Sequence, residues 1–109
     1  MAYRVSLAEP AEADAYAAFD RIRAAAPAHA ERWLIRLFAA ISSLDNLPTR
    51  CPVIPEAGEL GYPVRHLLFG KGNGVYRIIF HINEDERHVR LLRVWHASRD
   101  AITAADVEE

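Results

Sequence analysis

Between residues 62 and 100, three runs rich in Val, Ile, Leu, Phe and Tyr are separated by two polar breaks, at 70–74 and 83–86. Both breaks consist of hairpin-loop residues, which predicts a three-stranded antiparallel meander. The middle strand, 75–82, places Tyr76, Ile78, Phe80 and Ile82 on one face and Val75, Arg77, Ile79 and His81 on the other. The first set is apolar apart from one hydroxyl and should be buried. The second is mixed and should stay partly open. In strand 63–69, Val64, His66 and Leu68 oppose Arg65, Leu67 and Phe69. In strand 88–95, Val89, Leu91, Arg93 and Trp95 oppose Arg90, Leu92, Val94 and, one residue on, His96. Alternation alone gives neither of these strands a buried face.

Upstream, Tyr3, Val5 and Leu7 alternate with polar residues as a short half-buried strand does. Glu9-Pro10 opens a helix, with Glu9, Glu12 and Asp14 at the positive end of its dipole. Ala15, Phe19, Ile22 and Ala26 form its stripe, and Pro27 breaks it. A second helix over 28–44 carries Ala30, Leu34, Leu37, Ile41 and Leu44, flanked by Trp33 and Phe38. The short connection makes the two helices an antiparallel hairpin. Residues 48–61, with three prolines and two glycines, read as an irregular surface connection. If each helix reverses the chain, the first strand runs antiparallel to the second and fourth, which permits a fully antiparallel sheet. The expectation is an α+β fold of two layers, one domain over 1–109: an N-terminal strand, a helical hairpin and a meander.

Composition narrows the function classes. Half of the 109 residues are apolar (51%) and the net charge is −2, so the molecule has no generic attraction to nucleic acid. The charge is uneven: residues 62–100 hold seven basic and four acidic side chains, whereas 1–61 hold six basic and eight acidic. The meander is therefore a mildly basic part of an acidic chain. Lys71 is the single lysine beside twelve arginines, which leaves almost no amine to tune as a general base. One cysteine, Cys51, precludes an internal disulfide, and an inert thiol is the plain reading of it. The N-terminus lacks a signal-peptide pattern and no apolar run is long enough to span a bilayer, so a cytoplasmic protein without membrane contact is expected.

The sharpest candidates are Arg65, Arg77, Arg93 and Arg99, whose guanidinium forks suit phosphate or carboxylate. If Arg65, Arg77 and Arg93 share the open face, they line a concave anion site. The bland alternative is that each is solvated or pairs with Glu84, Asp85, Glu86 or Asp100. His81 and His96 are the candidate proton-transfer groups, against a structural role for each. The 70–74 glycines form a hairpin loop and no phosphate cradle, because no helix follows them. His81, His88 and His96 lack the spacing of a zinc site, and no cofactor is expected.

The pieces Val64-Arg65-x-Leu67, Tyr76-Arg77-Ile78-Ile79-Phe80 and Val94-x-His96-x-x-Arg99-Asp100, in that order behind a helical hairpin, resemble the ParE/RelE superfamily over about residues 3–100. These are toxins of type II toxin–antitoxin (plasmid stabilisation) modules. The resemblance implies a microbial-RNase-like α+β fold, growth inhibition, and a co-encoded antitoxin whose C-terminal segment wraps the toxin in a hetero-oligomer. RelE-like members cut mRNA on the ribosome without a metal; ParE-like members poison DNA gyrase. Arg65, Arg77 and His96 match the nuclease pattern. The single lysine, the negative net charge and the His96-x-x-Arg99-Asp100 ending are more similar to ParE. On the ParE-like reading Arg65, Arg77, Arg93, His96 and Arg99 touch the target; on the RelE-like one Arg65, Arg77 and His96 are catalytic. A degenerate, non-toxic binding module is the third reading.

Overall fold

The computed structural model describes residues 2–107. Strand β1 (Arg4–Leu7) is followed by α1 (Glu9–Ala25), α2 (Pro27–Ser42), a short α3 (Ala57–Leu60), and strands β2 (Arg65–Phe69), β3 (Tyr76–Asn83) and β4 (His88–His96). The sheet order is β1-β4-β3-β2. The β2–β3–β4 meander is antiparallel as expected. Pro27 ends α1 and is itself the first residue of α2, where its missing N–H costs no hydrogen bond.

Strand β1 pairs with β4 in parallel, which corrects the fully antiparallel expectation. The reason lies in where the chain turns. Ala8 N–H donates to the Leu91 carbonyl, and α1 then carries Asp14 to the Val94 N–H (3.0 Å). Helix α1 thus continues beyond the end of β1 along β4 and does not reverse. The one reversal is at Pro27, and α2 returns the chain to its start, where Tyr3 N–H donates to the Asp45 carbonyl (2.8 Å).

A β-bulge explains why β4 has no clean alternation. Ile79 pairs with Arg93 but Phe80 pairs with Leu91, so Leu92 is an extra residue. The bulge flips the phase. Val89, Leu91 and Val94 enter the core under the helices, while Leu92 and Trp95 enter a second cluster on the opposite face.

The helical face holds the larger core. Tyr76, Ile78 and Phe80 pack with Leu37, Ile41 and Leu44 of the α2 side, and fully burying an aliphatic or Phe side chain contributes about 1.5–3 kcal/mol. The buried stripe of α1 is Ala11, Ala15 and Ala18. Phe19 and Ile22 of the expected stripe are only half-buried. Methyl side chains let α1 lie close against both α2 and β4.

The second face is also covered. Ile54 and Ala57 from the connection and Val64 just before β2, with Ile102 and Val107 from the C-terminal segment, close over Ile79, Leu92 and Trp95. Residues 48–61 are therefore part of the core packing and not a surface connection, and Ile79 is fully buried where a partly open face was expected. The apolar residues of the connection had no periodicity to signal their burial.

Candidate functional site

The register separates the sequence-predicted arginines. Arg65 lies opposite Phe80 and Arg77 opposite Leu68, so the two point to different sides of the sheet. Arg93, opposite Ile79, shares the second face with Arg77. The condition for a common concave site, with all three on one open face, is not met.

Each of these residues has a structural partner. The Arg77 fork grips Glu56 through two bonds of 2.9 Å, and its Nε–H donates to His66 Nδ1 at 3.0 Å. Glu56 also accepts the Ile102 N–H (3.2 Å), which ties the sheet to the C-terminal segment. The Arg77 hydrogen bonds hold the Glu56 carboxyl down at about 2. Burial, with Arg77 beside it, pushes His66 below the ordinary histidine value.

Arg93 forms a second bidentate pair, with Asp14, at 2.7 and 2.8 Å. Both side chains are about one-sixth exposed, and this hydrogen bonding raises the Arg93 pKa. Asp14 and Glu56 replace the expected partners Glu84, Asp85, Glu86 and Asp100. A signal for Asp14 existed: it sits on the helical stripe Ala11–Ala15–Ala18, where a carboxylate needs a buried cation. Glu56 lies in the irregular connection and gave no such signal. Arg65 donates to the Cys51 carbonyl at 2.6 Å and the Thr49 carbonyl at 3.4 Å. Cys51 is buried, and burial pushes its thiol pKa up, away from thiolate chemistry.

His96 lies over the β2–β3 turn. The Ser98 N–H donates to Nδ1 (3.1 Å), which assigns the proton to Nε2, donated to the Asn73 carbonyl (3.0 Å). Its ring stands edge-on to Tyr76, with centroids 4.9 Å apart. The turn that supplies Asn73 depends on Gly70. Its φ is 101°, and a Cβ at this position would collide with the Gly74 carbonyl oxygen, so no side chain fits. His81 lies on the second face beside Tyr62, with Nδ1 3.0 Å from the Pro63 carbonyl. Arg99 is exposed and stacks its guanidinium 3.6 Å from the Trp95 ring centre.

A groove of about 610 Å³, which no sequence pattern signals, lies between the helical hairpin and the β2–β3 turn. Trp33, Phe69, Tyr76 and Ile22 give it an apolar lining. His29, Arg32, Arg36 and Lys71 line it as well, and the lining described contains no carboxylate. The Trp33 and Tyr76 rings meet edge-to-face at 5.4 Å. Arg32 and Arg36 are four residues apart on α2, on one helical edge.

Among the described residues, no group of three His, Cys, Asp or Glu side chains is placed to hold a metal ion. No helix of the described residues is long and apolar enough to cross a membrane. Comparison with curated proteins gives no match. Residues 5–101 match the family model described as the ParE toxin of the type II toxin–antitoxin system parDE, and that span, covering both helices and all but the first residue of the sheet, places the chain in the ParE toxin family.

Proposed function

We propose that this chain, acting as one toxin domain in the cytoplasm, inhibits DNA gyrase by binding and is neutralised by a co-encoded antitoxin. One observation carries the binding reading over mRNA cleavage: the groups a nuclease would use are already occupied. Arg77 is held by Glu56, both nitrogens of His96 are in hydrogen bonds to protein, and Arg65 and Arg77 lie on opposite faces. Metal-independent cleavage needs a base within reach of a 2′-hydroxyl and cations gathered around one phosphate. Target contact then falls to exposed Arg99, stacked on Trp95, while Arg65, Arg77, Arg93 and His96, each held by other groups of the protein, would contribute to target contact only from separate parts of the surface.

The test is gyrase supercoiling with purified full-length toxin. Saturating toxin is expected to abolish supercoiling, and adding the antitoxin to restore it. Normal supercoiling at saturation, with transcripts cut in a translating extract, would establish the nuclease reading instead. The groove beside Trp33 supplies the neutralising surface: its aromatic lining and cations complement an antitoxin segment that alternates acidic and apolar residues.

A further inference from the structure

A surface helix ordinarily turns polar side chains to the solvent. The outer side of the helical hairpin departs from this. On α1, Glu12, Tyr16, Phe19 and Arg23 follow i, i+4, i+7 and i+11 spacing, which sets them in one row along the helix. Tyr16 is 48% exposed and Phe19 is half-buried. On α2, Ile35 is 67% exposed, and the half-buried Phe38 ring lies 6.2 Å from that of Tyr16. Because the two helices run antiparallel, the Tyr16–Phe38 contact sets Ile35 at the level of Phe19. Tyr16, Phe19, Ile35 and Phe38 therefore make one apolar patch, and contiguous exposed patches of this kind mark interaction sites. None of the four lines the Trp33 groove.

The order of residues in the α1 row says what covers it. A twofold interface between identical copies brings residue i against j and j against i. In an antiparallel pair of α1 helices whose twofold axis passes between the levels of residues 17 and 18, Glu12 meets Arg23 of the second copy and Tyr16 meets its Phe19. The axis repeats both pairs in reverse. The row is thus complementary to itself, with acid against base at both ends and ring against ring in the middle. Among the described residues Glu12 forms no ion pair. Arg23 already leans over the Phe19 ring, 5.5 Å from its centre. Its pair with Asp20 (3.1 Å) is exposed on both sides, so it contributes little and leaves guanidinium donors for a second carboxylate. Glu12, Asp20 and Glu31 are all exposed on these two helices, which disfavours an acidic antitoxin segment here as much as the cations of the Trp33 groove favour it there.

We infer that the outer side of the α1–α2 hairpin is a homodimer interface, in which α1 packs antiparallel against α1 of a second copy through Glu12, Tyr16, Phe19 and Arg23. It is separate from the groove beside Trp33 and does not depend on the toxin's target. One helix row from each copy makes a small interface, and small interfaces are weak and transient, so a Kd of about 10–100 μM is expected.

The test is sedimentation equilibrium of the full chain without antitoxin, from about 5 to about 500 μM, a range that brackets the expected Kd. The weight-average mass should rise from that of the 12.2 kDa monomer towards that of a dimer. Glu12→Arg and Arg23→Glu each set like charges across the contact and should weaken association at least tenfold. In an equimolar mixture of these two variants opposite charges meet again at both ends, so the mixture should associate as the unaltered chain does. A structural role for either residue within its own helix would not produce that rescue. Tyr16→Ala, at an exposed position, removes the central ring pair and should also weaken association; it keeps the test open if a charge variant loses its native far-UV circular dichroism. An unaltered chain that stays monomeric at the highest concentration, variants that associate as it does, or a mixture no more associated than its components overturns the inference.

Discussion

Arg77 is held from two sides, by the Glu56 carboxylate and by the lone pair of His66 Nδ1. Both partners make stability depend on pH in the same direction. His66 is depressed in the folded protein, so the unfolded chain takes up its proton first as pH falls and stability drops below the ordinary histidine range. Glu56 sits at about 2 when folded against an ordinary 4.5, so its contribution is complete above 4.5 and is lost as pH falls towards 2. Urea midpoints measured from pH 8 to pH 2 should fall in these two steps. His66→Gln should remove the first and Glu56→Gln the second; a profile unchanged by both variants would refute the account. The place of Arg77 on the mixed face of a strand was legible in sequence. Its partner was not, because residue 56 meets residue 77 only after the connection has folded over the sheet.

The two helices show how far periodicity reaches. The α2 stripe read from sequence is the one that buries, since Leu37, Ile41 and Leu44 have no rival face. For α1 the expected stripe shares Ala15 with the buried face, but Phe19 and Ile22 are only half-buried, because the contact selects the small residues Ala11, Ala15 and Ala18. Helix α1 must fit between α2 and β4, and only methyl groups at 11, 15 and 18 allow that approach. Ala15→Leu is therefore expected to destabilise by about 1–3 kcal/mol through overpacking, measured as a lower urea midpoint with an unchanged m value. A neutral or stabilising result would mean that α1 stands farther from its neighbours. Strand β4 teaches the complementary lesson: a single extra residue, Leu92, inverts every later side chain, so one alternation could not describe the strand.

Across the whole molecule, the two faces of the sheet have different tasks. The helical face ends in the Trp33 groove, which suits a partner of acidic and apolar character. The opposite face is covered by the connection and the C-terminal segment, with Arg99 exposed at one end. If the antitoxin occupies the groove, Arg32→Glu/Arg36→Glu should weaken its binding at least tenfold and flatten the salt dependence of association, since both changes remove steering charge. Titration calorimetry at two salt concentrations measures this. Affinity equal to that of the unaltered toxin would place the antitoxin elsewhere.

What the sequence determined by itself was local. Turn residues, apolar spacing and the position of Pro27 set the helical hairpin, the meander and most of the core, because each rests on interactions between residues near in the chain. The motif order also sufficed to point to the ParE/RelE superfamily. Tertiary structure alone decided the parallel pairing of β1, the face flip in β4 and the carboxylates that neutralise Arg77 and Arg93. These depend on pairings between residues 11 to 84 positions apart. No local periodicity records such pairings; they follow from which surfaces meet once both faces of the sheet are covered.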